Sequence, residues 1–208
     1  MSTRRAPGRP PGQLAKTELE VREAGAETFR RLGYNRARME DVAHALGVTK
    51  GGLYYYVRTK EELLLSIVLP PFREAVTLAE DIAASNEPAA RRLQSVVKRH
   101  LQNTAKHYPA ISIYLAGMRD LPVPDEMPAL DRAYTRAMKQ IVVEGMKDGT
   151  FAVRDPATVV VAILGMCNWF AVSYEPGQPW DIDEVATDFA ALCLDGVRGP
   201  FSEVMHDA

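Results

Sequence analysis

The chain has 208 residues, enough for one or two small domains with a real hydrophobic core. Its hydrophobic content of 47% is ordinary for a globular protein, and its net charge of −2 excludes a uniformly basic polyanion-binding chain. The charge is unevenly divided, because residues 1–60 carry a net +6 and residues 61–208 a net −8. This division predicts that the first part attracts a polyanion and that the remainder stays away from it.

The N-terminal segment, residues 1–13, is too rich in Pro, Gly and Arg to fold alone, and it predicts a disordered basic arm. Gly8-Arg9-Pro10 resembles the core of an AT-hook, a motif that binds the minor groove of DNA. Arginine-bearing arms can enter the minor groove beside a helix docked in the major groove, which makes Arg9 a candidate contact. The alternative is a tail without contacts.

The helical periodicity of residues 14–32 predicts a first helix that ends at Gly33. In the stretch from Met39 to Lys60, Ala43 and Leu46 share one face of a short helix. Gly47 follows where a residue with positive φ is needed, and Thr49 stands where a side-chain oxygen can cap the next helix. The pattern predicts a helix-turn-helix.

The second short helix, residues 50–56, begins with Gly51 and Gly52, each of which costs about 1 kcal/mol of helix stability relative to alanine. Glycines at this turn favour close approach to another surface. Leu53 and Val57 are spaced to anchor the helix, which turns Lys50, Tyr54 and Tyr55 outward. A cation and aromatic hydroxyls suit contacts with phosphates and base edges, so we predict a DNA-binding helix. The alternative is a surface helix of a small bundle.

These stretches resemble the DNA-binding domain of tetracycline-repressor (TetR) family regulators. The matching residues are Phe29, Gly33 and Tyr34, then 39–43, 47–57 and 60–64. The family usually places Ser or Thr before the helix-turn-helix, where this chain has Ala37 and Arg38, so we expect the cap to be lost and Arg38 to reach a phosphate. The predicted DNA-binding residues are Arg9, Arg38, Thr49, Lys50, Gly51, Gly52, Tyr54, Tyr55 and Lys60.

A fourth helix is predicted from Thr59, with Thr59-x-x-Glu62 forming a capping box. Pro70-Pro71 then predicts a break or kink, because proline lacks a donor and clashes with the preceding turn. One hypothesis is that this kink lets ligand binding re-aim the DNA-binding domain; the simpler one is a kink near the domain boundary.

The remaining chain is helical throughout and shows no strand pattern. Helices are predicted from Pro88, from Pro109 to about Arg119, from about Ala129 to Asp148, from Asp155-Pro156 to Tyr174, and from Asp181 to about Arg198. Residues 121–128 predict a proline-rich loop. The prediction is an all-α protein with a three-helix helix-turn-helix DNA-binding domain (residues 14–60) and a six-helix ligand-binding and dimerisation domain (residues 61–208).

The last two predicted helices carry apolar faces that two chains could join into a four-helix seam. The predicted interface residues are Val161, Leu164, Asn168, Val185, Phe189 and Leu192. The family resemblance also implies a homodimer, and two recognition helices ~34 Å apart are needed to reach successive major grooves. The alternative is that both faces belong only to the core of one chain.

Methionine and aromatic residues in the second domain predict a pocket for an apolar ligand, with core packing as the alternative. The candidates are Tyr114, Met118, Arg119, Met138, Met166, Trp169, Phe170 and Tyr174. In addition, residues 165–177 resemble the C-terminal segment of family members that sense acyl-CoA or steroid-derived CoA thioesters. That resemblance implies a long apolar tail in the pocket and a phosphate-bearing head near Arg92, Arg99 or Arg119.

No phosphate loop, metal-ligand motif or nucleophile motif occurs in the sequence, so we predict no catalytic residue, no metal and no cofactor. Cys167 and Cys193 predict buried reduced thiols and a cytoplasmic protein. The uncharged segment 156–174 is continuously apolar only over residues 159–167, too short for a span of roughly 20 residues, and predicts a buried helix.

Together these features predict a homodimeric transcriptional regulator, most simply a repressor of a palindromic double-stranded DNA operator. A small hydrophobic effector, with an acyl-CoA thioester as the first choice, would release it. The alternatives are a drug-sensing repressor of an efflux pump and, from another class, a helical adaptor or an enzyme without a recognisable site.

Overall fold

The computed structural model describes residues 17–117 and 125–198, and this part of the chain forms nine α-helices without a strand. The predicted all-α fold is thereby confirmed. The helices are α1 (Glu18–Leu32), α2 (Met39–Leu46), α3 (Lys50–Tyr56), α4 (Lys60–Ala84), α5 (Ala89–Lys106), α6 (Tyr108–Gly117), α7 (Met127–Lys147), α8 (Pro156–Ser173) and α9 (Ile182–Arg198). Leu14, the predicted first residue of α1, lies outside the described residues, as does the first half of the predicted loop 121–128. That loop prediction extends too far, because Met127 and Pro128 already belong to α7.

Side-chain caps begin several of these helices. The Thr17 hydroxyl accepts from the Glu20 N–H at 3.1 Å, and the Glu20 carboxylate accepts from the Thr17 N–H at 2.7 Å. Asp155 accepts from the N–H groups of Ala157 and Thr158, and Asp181 begins α9 in the same manner. Because these bonds satisfy donors that have no partner within the helix, each cap fixes a helix start.

The chain divides into two compact units, residues 1–67 and 68–208. In the first unit α1, α2 and α3 pack together around Phe29, Val42 and Leu53. Gly25 of α1 lies against α4, since a Cβ atom at that position would be 3.0 Å from side-chain carbons of Leu63 and Ile67. A small residue at position 25 therefore sets how closely α1 approaches α4.

The second unit is built around α5, which packs against α6, α7, α8 and α9. Its core is one continuous apolar cluster of buried residues from all of these helices except α6, together with α4. The α5 side chains in it are Ala89, Leu93, Val96, Val97 and Leu101. This spacing is that of one face of an amphipathic helix, so the sequence periodicity is the physical origin of the arrangement.

Of the break or kink predicted at Pro70-Pro71, the break is wrong, because α4 runs for 25 residues with both prolines inside it, and the kink stays a prediction. The two prolines remove two backbone donors. Burial of Val68, Leu69 and Pro71 compensates for that loss, and the Pro71 carbonyl accepts a hydrogen bond from the Asn103 side chain at 3.2 Å. Packing thus holds a helical segment that local propensity disfavours.

Helix α8 also differs from the prediction of a buried helix, because only one side of it is buried. Val160, Ile163 and Cys167 belong to the core, whereas Val161 and Val172 on the other side are exposed. In the described part of the chain α8 is long and apolar enough to cross a membrane by length and composition, but its buried side is part of the core of the second unit. Within residues 17–117 and 125–198, nothing covers the exposed apolar side of α8.

Candidate functional site

The outward face of α3 is the first candidate site. Leu53 is completely buried and Val57 is buried behind it, so the helix is anchored as predicted. Tyr55 is 85% exposed and Tyr54 39% exposed, and Lys50 is exposed as well. The helix therefore presents one cation and two phenol groups to the surroundings from a rigid base.

The turn before α3 has the predicted geometry. Gly47 ends α2 at φ +69°, a backbone conformation that residues with a side chain rarely adopt. The Thr49 hydroxyl accepts from the Gly52 N–H at 3.1 Å and caps α3. A Cβ atom on Gly51 would meet nothing closer than the Thr49 hydroxyl at 4.0 Å, so the packing of the protein itself does not require glycine at position 51. The small residue leaves room for another molecule.

Lys50 has an acidic neighbour that the sequence did not point to. Its ammonium forms an ion pair with the Glu40 carboxylate of α2 and lies 5.8 Å from the centre of the Tyr54 ring. The hydrogen bond with Glu40 raises the pKa of Lys50, and the same bond lowers the pKa of Glu40. A phosphate that bound Lys50 would have to displace the Glu40 carboxylate.

Replacing Glu40 by glutamine is expected to raise the affinity for operator DNA by about two- to fivefold at low salt, because it frees Lys50 and removes one negative charge per subunit. The gain should shrink as salt is added, and fluorescence anisotropy with a labelled duplex measures both effects. Glu27→Gln is the matched control, since Glu27 pairs with Arg30 on α1 in the same unit. Equal gains from both variants would show that only net charge matters.

Arg38 and Lys60 lie at the edges of this surface. Arg38 is exposed, and its side chain forms no cap, but its N–H donates to the Asp41 carboxylate at 2.7 Å. One half of a capping box thus remains where the sequence predicted its loss. The Lys60 ammonium donates to the Asn35 carbonyl at 3.3 Å and lies 4.4 Å from the centre of the Tyr34 ring. Burial there lowers the pKa of Lys60.

The structure thus brings five of the predicted DNA-binding side chains to the exposed surface of the first unit, namely Arg38, Thr49, Lys50, Tyr54 and Tyr55. The Lys60 ammonium already contacts the Asn35 carbonyl and the Tyr34 ring. Arg9 lies outside the described residues. Glu40 was missed because it is ten residues from Lys50 in the sequence. A turn between two helices closes that separation, which side-chain spacing along one helix does not reveal.

The second candidate site is a cavity of about 680 Å³ within the second unit, between α4, α5, α6, α7 and α8. This volume is typical of small-molecule sites. Phe72 and Tyr114 form an edge-to-face pair in its wall, with ring centres 4.9 Å apart. The other lining residues are Ala75, Val76, His100, Asn103, Thr104, Ile111, Leu115, Met127, Pro128, Leu130, Asp131, Tyr134, Leu164, Gly165, Asn168, Trp169, Ala171 and Val172.

Of the residues predicted to bind a ligand, Tyr114 and Trp169 line this cavity. Met138 and Phe170 are buried in the core, and Met166 and Tyr174 pack against it, so none of these four is in the cavity wall. Met118 and Arg119 lie outside the described residues. Helical spacing indicated the correct helices but did not distinguish a cavity-lining position from a core position on the same helix.

The polar part of the wall is centred on His100 and Tyr134. The His100 Nδ1 atom and the Tyr134 hydroxyl are 2.9 Å apart, and the nearby Asn168 amide favours the protonated form of His100. Burial lowers the pKa of His100 to about 4 and raises the pKa of Tyr134, so both side chains are uncharged near neutral pH. Beside them the Asn103 amide oxygen is buried and has no hydrogen-bond partner among the described residues.

Two of the arginines predicted to hold a phosphate-bearing head, Arg92 and Arg99, lie outside the cavity wall. Arg92 is only 7% exposed, and its guanidinium pairs with Glu144 at 2.6 Å and donates to the Ala83 carbonyl at 2.8 Å. Because a buried guanidinium needs such partners, Arg92 is committed to the core. Arg99 is exposed and outside the cavity wall, where it donates to Gln102 at 3.4 Å. The prediction is thus wrong for Arg92.

The third candidate site is the exposed apolar surface of α8 and α9. Trp169 is 69% exposed and Leu192 is 62% exposed, and Val161 and Val172 are exposed with them. Of the other predicted interface residues, Leu164 and Asn168 line the cavity, and Val185 and Phe189 are partly buried against the core. Large exposed apolar surfaces commonly mark interaction sites.

Reactive side chains in the described part of the chain form no recognisable catalytic arrangement. Cys167 and Cys193 are free and buried, and burial raises the pKa of their thiols to about 12 and about 11. Such thiols are poor nucleophiles at neutral pH. Within residues 17–117 and 125–198 no group of three or more His, Cys, Asp or Glu side chains could hold a metal ion.

Two family models match the chain. The model described as bacterial regulatory proteins, tetR family, matches residues 21–67, and the model described as tetracyclin repressor-like, C-terminal domain, matches residues 86–197. Together they cover the helix-turn-helix unit and nearly all of the described second unit.

Individual proteins agree with these models. The HTH-type transcriptional repressor KstR2 of Rhodococcus jostii (strain RHA1) is 25% identical over 185 residues, which are 87% of this chain and 91% of that protein. The TetR family transcriptional regulator PfmR from Thermus thermophilus is 28% identical with a TM-score of 0.78, over 86% of this chain and 99% of that chain. AibR in complex with isovaleryl coenzyme A and operator DNA is 19% identical with a TM-score of 0.70, over 88% of this chain and 99% of that chain.

Proposed function

This chain belongs to the TetR family of DNA-binding transcriptional regulators, and we propose that it is a homodimeric repressor released from a palindromic operator by a small hydrophobic effector. The observation that carries the proposal is the outward face of α3, where Lys50, Tyr54 and Tyr55 project from a helix anchored by Leu53. The net charge of +6 in residues 1–60 supports attraction of this unit to DNA. The similarity to the repressor KstR2 supports negative regulation.

The exposed apolar surface of α8 and α9 supports the dimer. Covering Val161, Trp169, Val172 and Leu192 with the same surface of a second chain would remove them from water. A two-fold dimer would also present two copies of α3 to successive major grooves, ~34 Å apart.

A chain with Val161→Asp and Leu192→Asp is expected to be monomeric at micromolar concentration, because both carboxylates would be buried unpaired in the interface. Its operator affinity should fall by at least about 100-fold, since one recognition helix then binds alone. Analytical ultracentrifugation and fluorescence anisotropy measure the two effects. Leu19→Asp is the control for oligomeric state, as Leu19 is an exposed leucine in the first unit. A dimeric double variant would place the interface elsewhere.

For the effector, we propose an acyl-CoA thioester whose acyl part enters the 680 Å³ cavity. The apolar and aromatic lining supports an apolar group, and AibR binds isovaleryl coenzyme A within a similar fold. Since no Lys or Arg occurs among the described lining residues, the phosphates of the CoA head would remain outside the cavity. Control of lipid or related acid catabolism is the corresponding pathway class.

A cationic lipophilic drug is the second candidate effector, with an efflux pump as the controlled gene. The Asp131 carboxylate in the lining and the rings of Phe72, Tyr114 and Trp169 favour it, because a cation is attracted to both kinds of group. The charge of the effector therefore separates the two candidates.

The experiment uses the purified full chain and a labelled duplex from its own promoter region. Decanoyl-CoA is expected to release the duplex at micromolar concentration, whereas free CoA and the dye ethidium are not. Because ethidium also binds DNA, thermal denaturation of the protein without DNA is measured in parallel. Release and thermal stabilisation by the dye alone would favour the drug sensor. Failure to bind any promoter fragment at low ionic strength would refute the regulator proposal.

A further inference from the structure

The polar side chains of the cavity come from three helices that face one another. His100 of α5 bonds Tyr134 of α7 at 2.9 Å, and the Asn168 amide of α8 lies near enough to His100 to favour its protonated form. We call these three residues the polar triad. The triad interrupts an otherwise mainly apolar wall, and all three of its members line the cavity. A purely apolar ligand would leave the remaining donors and acceptors of the triad without partners, at a cost in free energy.

The triad carries no charge near neutral pH. Burial keeps His100 as imidazole, with its pKa at about 4, and keeps Tyr134 as phenol. The described lining residues include no Lys or Arg, and Asp131 is the one acidic side chain among them. A carboxylate or phosphate inside this cavity would lose its hydration, find no cation there and be repelled by Asp131.

The hydrogen bonds of the triad leave a donor for the ligand in either tautomer of His100. If His100 Nδ1 donates to Tyr134, the Tyr134 hydroxyl hydrogen is free for the cavity. If Tyr134 donates to Nδ1 instead, His100 Nε2 carries the ring proton, and either this N–H or the Asn168 NH₂ group can donate to the ligand. A ligand oxygen that accepts a hydrogen bond is therefore satisfied in both cases.

We propose that the cavity recognises an uncharged oxygen, a hydroxyl or carbonyl on an otherwise apolar body, and that the polar triad binds it. This inference rests on the proposed function only in taking the cavity as the effector site. The body can be a free small molecule or the acyl part of a CoA thioester, because both present the same chemistry to the triad. The carboxylate anion of a free carboxylic acid is excluded from the cavity.

Two ligand pairs test the proposal on the wild-type protein by isothermal titration calorimetry without DNA. The first pair is 4-hydroxybiphenyl and biphenyl, and the second is 10-hydroxydecanoyl-CoA and decanoyl-CoA. In a plain apolar cavity the added hydroxyl weakens binding, because it loses its hydrogen bonds to water and gains none from the protein. The triad is expected to reverse this order, so that the hydroxylated member of at least one pair binds about tenfold more tightly. Biphenyl-4-carboxylate should bind at least about tenfold more weakly than 4-hydroxybiphenyl.

The Tyr134→Phe variant connects this preference to the triad. It keeps the ring and removes the hydroxyl, so the preference should fall to below about twofold, while biphenyl, which leaves this hydroxyl unpaired in the wild type, should bind at least as tightly as before. Tyr174→Phe is the control, because Tyr174 packs against the core of the same unit outside the cavity wall. Equal losses for both members of a pair would reveal a purely structural role for Tyr134 and contradict the proposal.

Each outcome in the wild-type protein has a definite meaning. A preference in the first pair only identifies a free ligand, and a preference in the second pair only identifies a thioester. No preference in either pair, tighter binding of the carboxylate, or no binding of any probe overturns the proposal, whether or not Tyr134→Phe folds. Operator affinity is measured separately on the same preparations. Loss of DNA binding would refute the proposed repressor. The conclusion about the polar triad would still follow from calorimetry, which is measured without DNA.

Discussion

A chain carrying both Lys50→Ala and Tyr55→Ala is expected to lose at least about 100-fold in operator affinity at about 100 mM salt. A dimer would lose two cationic contacts with phosphate and two exposed phenol groups at once. Removing one phosphate contact per subunit should also reduce the slope of log affinity against log salt by about 1.8. Fluorescence anisotropy at several salt concentrations gives both quantities.

The fold should survive this change, because both side chains are exposed and the helix is anchored by Leu53 and Val57. Circular dichroism and the thermal midpoint check that assumption. Lys139→Ala is the matched control, since it removes an equal charge from an exposed position on α7 in the second unit. If the double variant bound the operator as well as Lys139→Ala does, α3 would not be the DNA-contacting helix.

The second large effect is expected from Gly145→Ala in the core of the second unit. A Cβ atom at position 145 would lie 2.2 Å and 2.3 Å from two carbons of the Phe151 ring. The ring has little freedom to retreat, because Phe151 is buried and its N–H donates to the Gly145 carbonyl at 2.8 Å. Overpacking of this kind costs about 1–3 kcal/mol, and each kcal/mol lowers Tm by about 2–4 °C in a chain of this size.

Gly196→Ala is the control for glycine replacement within a helix. Apart from its chain neighbours and the backbone of α9, no atom of the described residues lies within 4 Å of its added Cβ atom, so we expect it to be neutral or to stabilise the protein by up to about 1 kcal/mol. Adding Phe151→Leu to Gly145→Ala should recover part of the loss if the ring is the obstacle. Urea denaturation at one fixed protein concentration gives the free energies of unfolding. A Gly145→Ala chain as stable as the wild type would contradict the packing described.

The sequence was a good guide wherever a feature is local. Gly47, Thr49 and Asp155 end or begin helices through bonds that span four residues or fewer, so their chemistry is visible in the sequence. The anchoring of α3 by Leu53 and Val57 follows from the spacing of a helix. These local rules were sufficient for most of the helices and for the exposed face of α3, but not for α4, which continues through Pro70 and Pro71.

Features that join distant residues could not be predicted in this way. His100 and Tyr134 are 34 residues apart, and their bond depends on how α5 and α7 cross. Arg92 meets Glu144 across the same two helices, which removed it from the predicted phosphate site. Position 138 looked suitable for a pocket because methionine often lines one, yet depth in a bundle is decided by the neighbouring helices. Tertiary packing thus decides which of these side chains line the cavity and which lie in the core.

Helix α8 contributes side chains both to the cavity wall and to the exposed apolar surface of the second unit. Leu164, Gly165 and Val172 are in the cavity wall, and Trp169 belongs to both. In the proposed dimer, an effector entering one subunit would displace side chains of the same helix that the other subunit contacts. Binding of an effector in one cavity would then change the effector affinity of the other cavity, and effector titrations would show a Hill coefficient different from one.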